Sequence, residues 1–226
     1  MAHHIQHLAN AVLDFAFPPY CTCCRQLIGP KRATLCQTCF DSLRLVDPAN
    51  HCPKCGLLLE GEVHRCHNSS LEAVGVCFDD GPVVRSLVNS SAEQISPFIV
   101  LQWHTLQWPL PDFVMPTPGD WFSRGSDRWR LRQEIAAQVA AILGRQASSA
   151  LRLERHRLPI PYLGLEEQGR EVEDSAVRLR HPNKFVNKTV LLIHDTLTTG
   201  RALRTSASAL CHYGARAVWG ISIRGC

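Results

Sequence analysis

Eight of the eleven cysteines fall within the first 66 residues: Cys21, Cys23, Cys24, Cys36, Cys39, Cys52, Cys55 and Cys66. Cys77, Cys211 and Cys226 are scattered over the remainder. Cys21-Thr-Cys-Cys24 and Cys36-Gln-Thr-Cys39 form two C-x₂-C pairs with eleven residues between them. Two intervening residues let a tight knuckle aim both sulfurs at one ion, and two knuckles complete a tetrahedral Cys₄ shell. Gly29-Pro30 supplies the turn that a ribbon hairpin between the pairs requires. The spacing therefore predicts a Zn²⁺ site at Cys21, Cys24, Cys36 and Cys39, with Cys23 a spare thiol or an alternative ligand.

A second knuckle begins at Cys52-Pro-Lys-Cys55-Gly56, but its return half is incomplete. Val63 and Ser69 occupy the places that would pair with Cys66, while His64 and His67 flank it. Imidazole is a good fourth zinc ligand, so one reading is a Cys₃His site through either histidine. The other is a decayed ribbon held by its small core and the neighbouring module. Either metal site would be structural, because four protein ligands leave no open position. A segment of about 70 residues with so little aliphatic content needs such staples to fold.

Disulfides would need an oxidising compartment, and the N-terminal stretch is not expected to act as a secretory signal. Ala9 to Phe17 is apolar but interrupted by Asn10 and Asp14, without a basic flank. Leu8, Val12, Leu13, Phe15 and Phe17 fit a short docking helix better, and His3, His4 and His7 read as its frayed start or as a metal tail. No apolar run reaches the roughly 18–20 residues that span a bilayer, so membrane insertion is not expected. The expected location is cytoplasmic. Hydrophobic residues make up 45% and charged residues 19% of the 226, which excludes wholesale disorder. A net charge of +4 offers no broad polyphosphate-binding face, so nucleic-acid binding has to be argued from a site.

The stretch from Lys188 to Arg204 carries the most chemistry. Val190-Leu-Leu-Ile193 is a short unbroken apolar run, as a central parallel strand buried on both faces would have. A polar loop, His194 to Gly200, is expected next. Leu203, Ala207, Leu210 and Cys211 then fall on one helical face, and Gly214 sits where a C′ cap belongs. A helix starting near Thr199–Arg201 presents unpaired N–H groups and its positive dipole end, which favour an anion. Thr198 and Thr199 add hydroxyls, and Gly200 permits close backbone approach. Asp195, at the strand's carboxyl end, suits ribose hydroxyls or a Mg²⁺ ion beside that phosphate.

This stretch resembles the phosphoribosyl pyrophosphate (PRPP) signature of type I phosphoribosyltransferases: an apolar strand, two acidic residues, two variable positions, then Thr-Thr-Gly. With the zinc ribbons ahead of it, nearly the whole chain is similar to the ComF/GntX family of competence-associated proteins. Phe17-Pro-Pro-Tyr-Cys21, Cys52-Pro-Lys-Cys-Gly56 and Thr198-Thr-Gly200 are the landmarks. The resemblance implies an α/β phosphoribosyltransferase-type parallel sheet flanked by helices over residues 71–226. Residues 1–70 would form the N-terminal helix and double zinc ribbon. It implies a role in DNA uptake and a PRPP or related sugar-phosphate ligand, with Mg²⁺ if the chain is active.

Residue by residue, the resemblance places Asp195 at the ribose and Thr196, Leu197, Thr198, Thr199 and Gly200 on the 5′-phosphate. His194 replaces the first acidic residue, and Ala202 stands where a hydroxyl residue is usual. Phe113-Val-Met-Pro116 resembles the strand before the family's basic loop. In that loop Arg124-Gly-Ser-Asp-Arg128 matches the family's Arg-Gly-Phe-Asn-Gln only at Arg124 and Gly125. Arg124 is thus the candidate pyrophosphate contact and, with Asp195, the candidate catalytic pair. Ser86-Leu-Val-Asn89 lacks the family's lysine, and its flexible-loop glutamine and asparagine are not recognisable in residues 155–185.

Other features have plainer readings. Leu131, Ile135, Val139 and Ile142 predict an amphipathic helix from about Ser126 to Gly144, with Arg128, Arg130 and Arg132 on its solvated side. Trp103, Trp108, Trp121 and Trp129 read as packing residues rather than a base-stacking platform. Residues 152–180, turn-rich and charged, read as a mobile flap in which Arg155 and Arg157 either close over a polyphosphate or are simply solvated. Ala217 to Ile223 supplies a further buried strand. A Rossmann dehydrogenase is excluded, since no G-x-G-x-x-G follows any candidate strand. Two functions remain. One is a phosphoribosyltransferase-like enzyme; the other is an adaptor whose ribbons contact single-stranded DNA or a DNA-uptake helicase.

Overall fold

A computed structural model describes residues 19–28, 34–59, 66, 70–88, 91–118, 127–153 and 177–225. The docking helix, His3, His4 and His7, Gly29-Pro30, His64, His67, Trp121, Arg124, Gly125, Arg155, Arg157 and Cys226 lie outside them.

The core is a five-stranded sheet in the order β1-β7-β6-β2-β3, with every adjacent pair parallel. Its strands are β1 (Ala73–Phe78), β2 (Phe113–Pro116), β3 (Gln146–Ala147), β6 (Thr189–Leu197) and β7 (Ala217–Gly225). Five α-helices are described: α1 (Gln37–Asp41), α2 (Pro82–Val88), α3 (Ala92–Thr105), α4 (Asp127–Ile142) and α5 (Arg201–His212). Helices cover both faces of the central strands, which explains their apolar runs, whereas the edge strand β3 is exposed. In β6, Leu191 and Ile193 pack among residues of α2, α3 and α4, while Val190 and Leu192 pack with Leu203, Ala207 and Leu210 of α5. The expected α/β architecture, a parallel sheet between helical layers, is the one formed.

Three local expectations are corrected. The apolar run of β6 does not end the strand, which continues through Leu197 because β7 stays beside it: His194 pairs with Ser222, Thr196 with Arg224 and Leu197 with Gly225. Only Thr198, Thr199 and Gly200 remain as the loop before α5. The buried side of α4 runs through Trp129, Arg132, Ile135, Ala136, Val139 and Ala140, whereas Leu131 is half-buried and Ile142 exposed. Arg130 is exposed as expected, but Arg132 is not. Finally, the two ends of the expected flap are ordered: β4 (Leu151–Leu153) and β5 (Val177–Leu179) pair antiparallel, and residues 154–176 between them lie outside the described set.

The cysteine-rich segment closes the sheet's β1 edge. Val46 N–H donates to Cys77 O at 2.9 Å, and Val74 N–H donates to Pro53 O at 2.8 Å. An edge strand otherwise exposes unpaired backbone groups, so this segment supplies partners that the sheet lacks.

Candidate functional site

In an open parallel sheet, ligands bind at the carboxyl ends of the strands where successive connections depart in opposite directions. Here β2 leads to β3 on one side and β6 leads to β7 on the other, so that point lies between β6 and β2. His194 sits there, its Nδ1 2.8 Å from Thr117 Oγ1 just beyond β2. Asp195 follows, with Oδ1 3.7 Å from His194 Nδ1 and 3.8 Å from Arg132 Nη1. Arg132 is only 9% exposed, and its guanidinium lies 5.6 Å from the centre of the Trp129 ring.

Electrostatics follow from this packing. Burial pushes the His194 imidazole below its ordinary range; Asp195 opposes that shift and Arg132 adds to it. Burial would raise the Asp195 carboxyl, but the Arg132 guanidinium and His194 outweigh it and hold it below the usual carboxylate range. At neutral pH the pair is therefore a neutral imidazole beside an ionised carboxylate with its own cation.

The neighbouring strand ends are also charged and paired. Arg224 of β7 donates from Nη2 to Thr196 Oγ1 at 3.2 Å and places Nη1 3.2 Å from Asp80 Oδ1. Arg85 of α2 contacts both oxygens of Asp80, with Nε 3.0 Å from Oδ1 and 3.1 Å from Oδ2. That contact, then Arg224, lowers the Asp80 carboxyl despite partial desolvation. Asp79 lies 3.3 Å from Nε2 of the buried His51.

Thr198 and Thr199 are exposed, and Gly200 is the N-cap of α5 in a left-handed conformation, φ +67°. Arg204 N–H makes the first helical bond, to Gly200 O at 3.0 Å, so by helix geometry the amides before it have no carbonyl partner within α5. Thr199 Oγ1 stands 3.4 Å from Arg201 N, and Arg204 Nη1 donates to Thr199 O at 2.9 Å. The second zinc knuckle backs this loop. A Cβ on Gly56 would fall 2.7 Å from both Leu197 Cδ2 and Val74 Cγ1, and one on Gly200 would lie 4.0 Å from Cys55 O.

Both cysteine clusters fit zinc. Tetrahedral Zn–S bonds of about 2.3 Å put sulfurs about 3.8 Å apart. The sulfurs of Cys21, Cys24, Cys36 and Cys39 all lie within 4.8 Å of one another, with Cys24 and Cys36 at 3.5 Å. Cys23 is outside this group and packs partly buried against the core. Cys52, Cys55 and Cys66 form the second group, with Cys66 3.0 Å from Cys52 and 3.8 Å from Cys55. Such crowding splits thiol acidities. Burial works against ionisation of Cys21, but the N–H groups of Cys24, Cys36 and Cys23 bring it down to about 6. Burial and the sulfurs of Cys36, Cys24, Cys21 and Cys23 push Cys39 up. The Cys52 sulfur and burial push Cys66 up to about 12. A bound dication removes that conflict by holding all the sulfurs as thiolates.

The structure thus brings His194, Asp195, Thr196 and the Thr198–Gly200 loop to one end of the sheet, while Leu197 turns inward as core. Sequence reasoning missed Thr117, Asp80, Arg132 and Arg224. A search for polar residues at or just past each strand's carboxyl end would have found Thr117, Asp80 and Arg224; only the buried side of α4 gives Arg132. Among the described residues, no helix is long and apolar enough to cross a membrane.

Comparison with known proteins agrees on the N-terminal segment. The double zinc ribbon domain matches residues 12–71. No curated protein matches the chain. Among solved structures, the hypoxanthine-guanine phosphoribosyltransferase of L. donovani is similar, at 9% identity and a TM-score of 0.34, covering 60% of this chain and 69% of that one.

Proposed function

We propose that this is a zinc-ribbon protein whose phosphoribosyltransferase-type domain binds a 5-phosphorylated ribose, PRPP or a related sugar phosphate, at the carboxyl end of its sheet. The observation that carries the reading is the order of parts along β6. A carboxylate stands at the topological switch point, then Thr198-Thr-Gly200 opens α5. The loop suits the phosphate through helix amides and hydroxyls. Asp195 suits the sugar hydroxyls, so one sugar phosphate would satisfy both. The resemblance to ComF/GntX proteins supports a role in DNA uptake, and a catalytic form would use Arg124 against the leaving pyrophosphate.

The test is a thermal-shift titration of the zinc-loaded chain with ribose 5-phosphate and with PRPP. At least one should raise Tm by several degrees, since ligand at about 100 times Kd adds about 2.7 kcal/mol. The double variant Thr198→Ala, Thr199→Ala should lose most of the shift. No shift for either ligand in the wild-type chain overturns the reading.

A further inference from the structure

We propose that Arg132 fills the cation position at Asp195, so that the crevice takes a ribose 5-monophosphate without a divalent metal ion. The inference rests on the sugar-phosphate reading above and departs from the Mg²⁺ that the PRPP resemblance implies.

The donor set does not fit Mg²⁺. That ion demands six oxygen ligands in near-octahedral order and is usually held by one or two carboxylates plus substrate phosphates. The first position of the acidic pair is His194, an imidazole already engaged by Thr117 Oγ1 at 2.8 Å. Imidazole suits softer metals. The second position, Asp195, has the Arg132 guanidinium 3.8 Å away. The other acidic side chains at these strand ends are committed too: Asp80 lies between Arg85 and Arg224, and Asp79 meets His51. Among the described residues, no carboxylate there is left without a cationic or imidazole partner.

Arg132 cannot easily yield its place. It is nine-tenths buried against Trp129, so moving it aside would strand both a guanidinium and a carboxylate in a partly dry site. Its Nε is buried and has no hydrogen-bond partner, a donor still available to an oxygen of an incoming ligand. A metal ion beside it would meet like charge. Among the described residues the cation at Asp195 is Arg132, already paired with that carboxylate, so a pyrophosphate finds no uncommitted positive charge there, whereas a single phosphate needs only the α5 amides and the threonine hydroxyls. The ligand chemistry is therefore a ribose carrying one 5-phosphate, free or as part of a nucleotide.

The experiment uses the full zinc-loaded chain in buffers stripped over chelating resin, because a dissolved chelator would attack the ribbons. Ribose 5-phosphate, AMP and PRPP are titrated calorimetrically with and without Mg²⁺. The expected result is binding of ribose 5-phosphate or AMP that changes less than about twofold with Mg²⁺, with PRPP no tighter. The ratio of the first two separates a free-sugar site from a nucleotide site. In Arg132→Met, which keeps the packing bulk, binding should weaken about tenfold without Mg²⁺ and recover when it is added. Should that variant fail to fold, a Mn²⁺ paramagnetic resonance titration of the wild-type chain with saturating ribose 5-phosphate decides, with only free Mn²⁺ expected. Binding that needs Mg²⁺, or bound Mn²⁺ at one per chain, overturns the inference while leaving the sugar-phosphate reading intact. Failure of all three ligands in both buffers overturns that reading as well.

Discussion

At the residue scale, His194 carries a stability term whose sign is fixed by burial. Its folded pKa lies below the ordinary value of 6.5. The unfolded chain therefore binds a proton at a pH where the folded one does not. The contribution is complete above 6.5 and is lost as pH falls through the folded value. His194→Gln keeps a polar group near Thr117 but cannot take up that proton. The expected outcome is a wild-type Tm that drops more steeply than the variant's as pH falls below 6.5. Zinc release at acid pH affects both alike, so the difference between the two curves is the readout, and parallel curves would refute the assignment. Arg132 shows where side-chain type alone misleads. Of the expected stripe Leu131, Ile135, Val139 and Ile142 on α4, Ile135 and Val139 are buried, but the side that meets the sheet continues through Ala136 and Ala140 rather than through Leu131 and Ile142. Small residues let a helix approach closely, and that rotation turns Arg132 inward to Asp195.

At the scale of single elements, β6 was legible only as far as its apolar run. Its last residues, His194 to Leu197, have the composition of a loop and are kept extended by a neighbour 28 residues away in sequence, where Thr196 pairs with Arg224. Local propensity carries no trace of such a partner. The Thr-Thr-Gly loop and the helix after it were legible because their requirements are local: a left-handed glycine at the cap, and Leu203, Ala207 and Leu210 on one face. Two glycines with similar backbone angles separate conformation from space. Gly56 and Gly200 have φ of +74° and +67°. At Gly200 the nearest atom to an added Cβ is 3.5 Å away, so alanine there carries only the left-handed backbone cost of about 1–2 kcal/mol. At Gly56 the same methyl meets Leu197 and Val74 at 2.7 Å, which adds overpacking for a total of about 2–4 kcal/mol. Denaturant unfolding should rank Gly56→Ala well below Gly200→Ala. Equal losses would mean that the knuckle does not press on the Thr198–Gly200 loop as described.

At the scale of the whole molecule, the two cysteine clusters brace different parts of one body. The first ribbon docks on α3 through Phe40 and Phe98, ring centres 5.7 Å apart, and through Thr34 Oγ1 to Gln94 Oε1 at 2.5 Å. The second completes the β1 edge and backs the loop at Gly200. Metal loss at either should therefore be felt beyond the ribbon itself, in different ways. The wild-type chain is expected to hold two zinc ions by elemental analysis. Cys36→Ser should hold one, with a Tm lowered by loosened packing at α3 and sugar-phosphate binding largely retained at temperatures where the chain stays folded. Cys55→Ser should also hold one, but should weaken that binding, because the knuckle behind Leu197 and Gly200 is released. His64→Ala and His67→Ala then locate the second site's fourth ligand, since only the ligating histidine's loss reproduces the zinc deficit of Cys55→Ser. A chain with one zinc in the wild type, or with binding equally indifferent to Cys36→Ser and Cys55→Ser, would reduce the second knuckle to a cover for the sheet edge with no hold on the crevice.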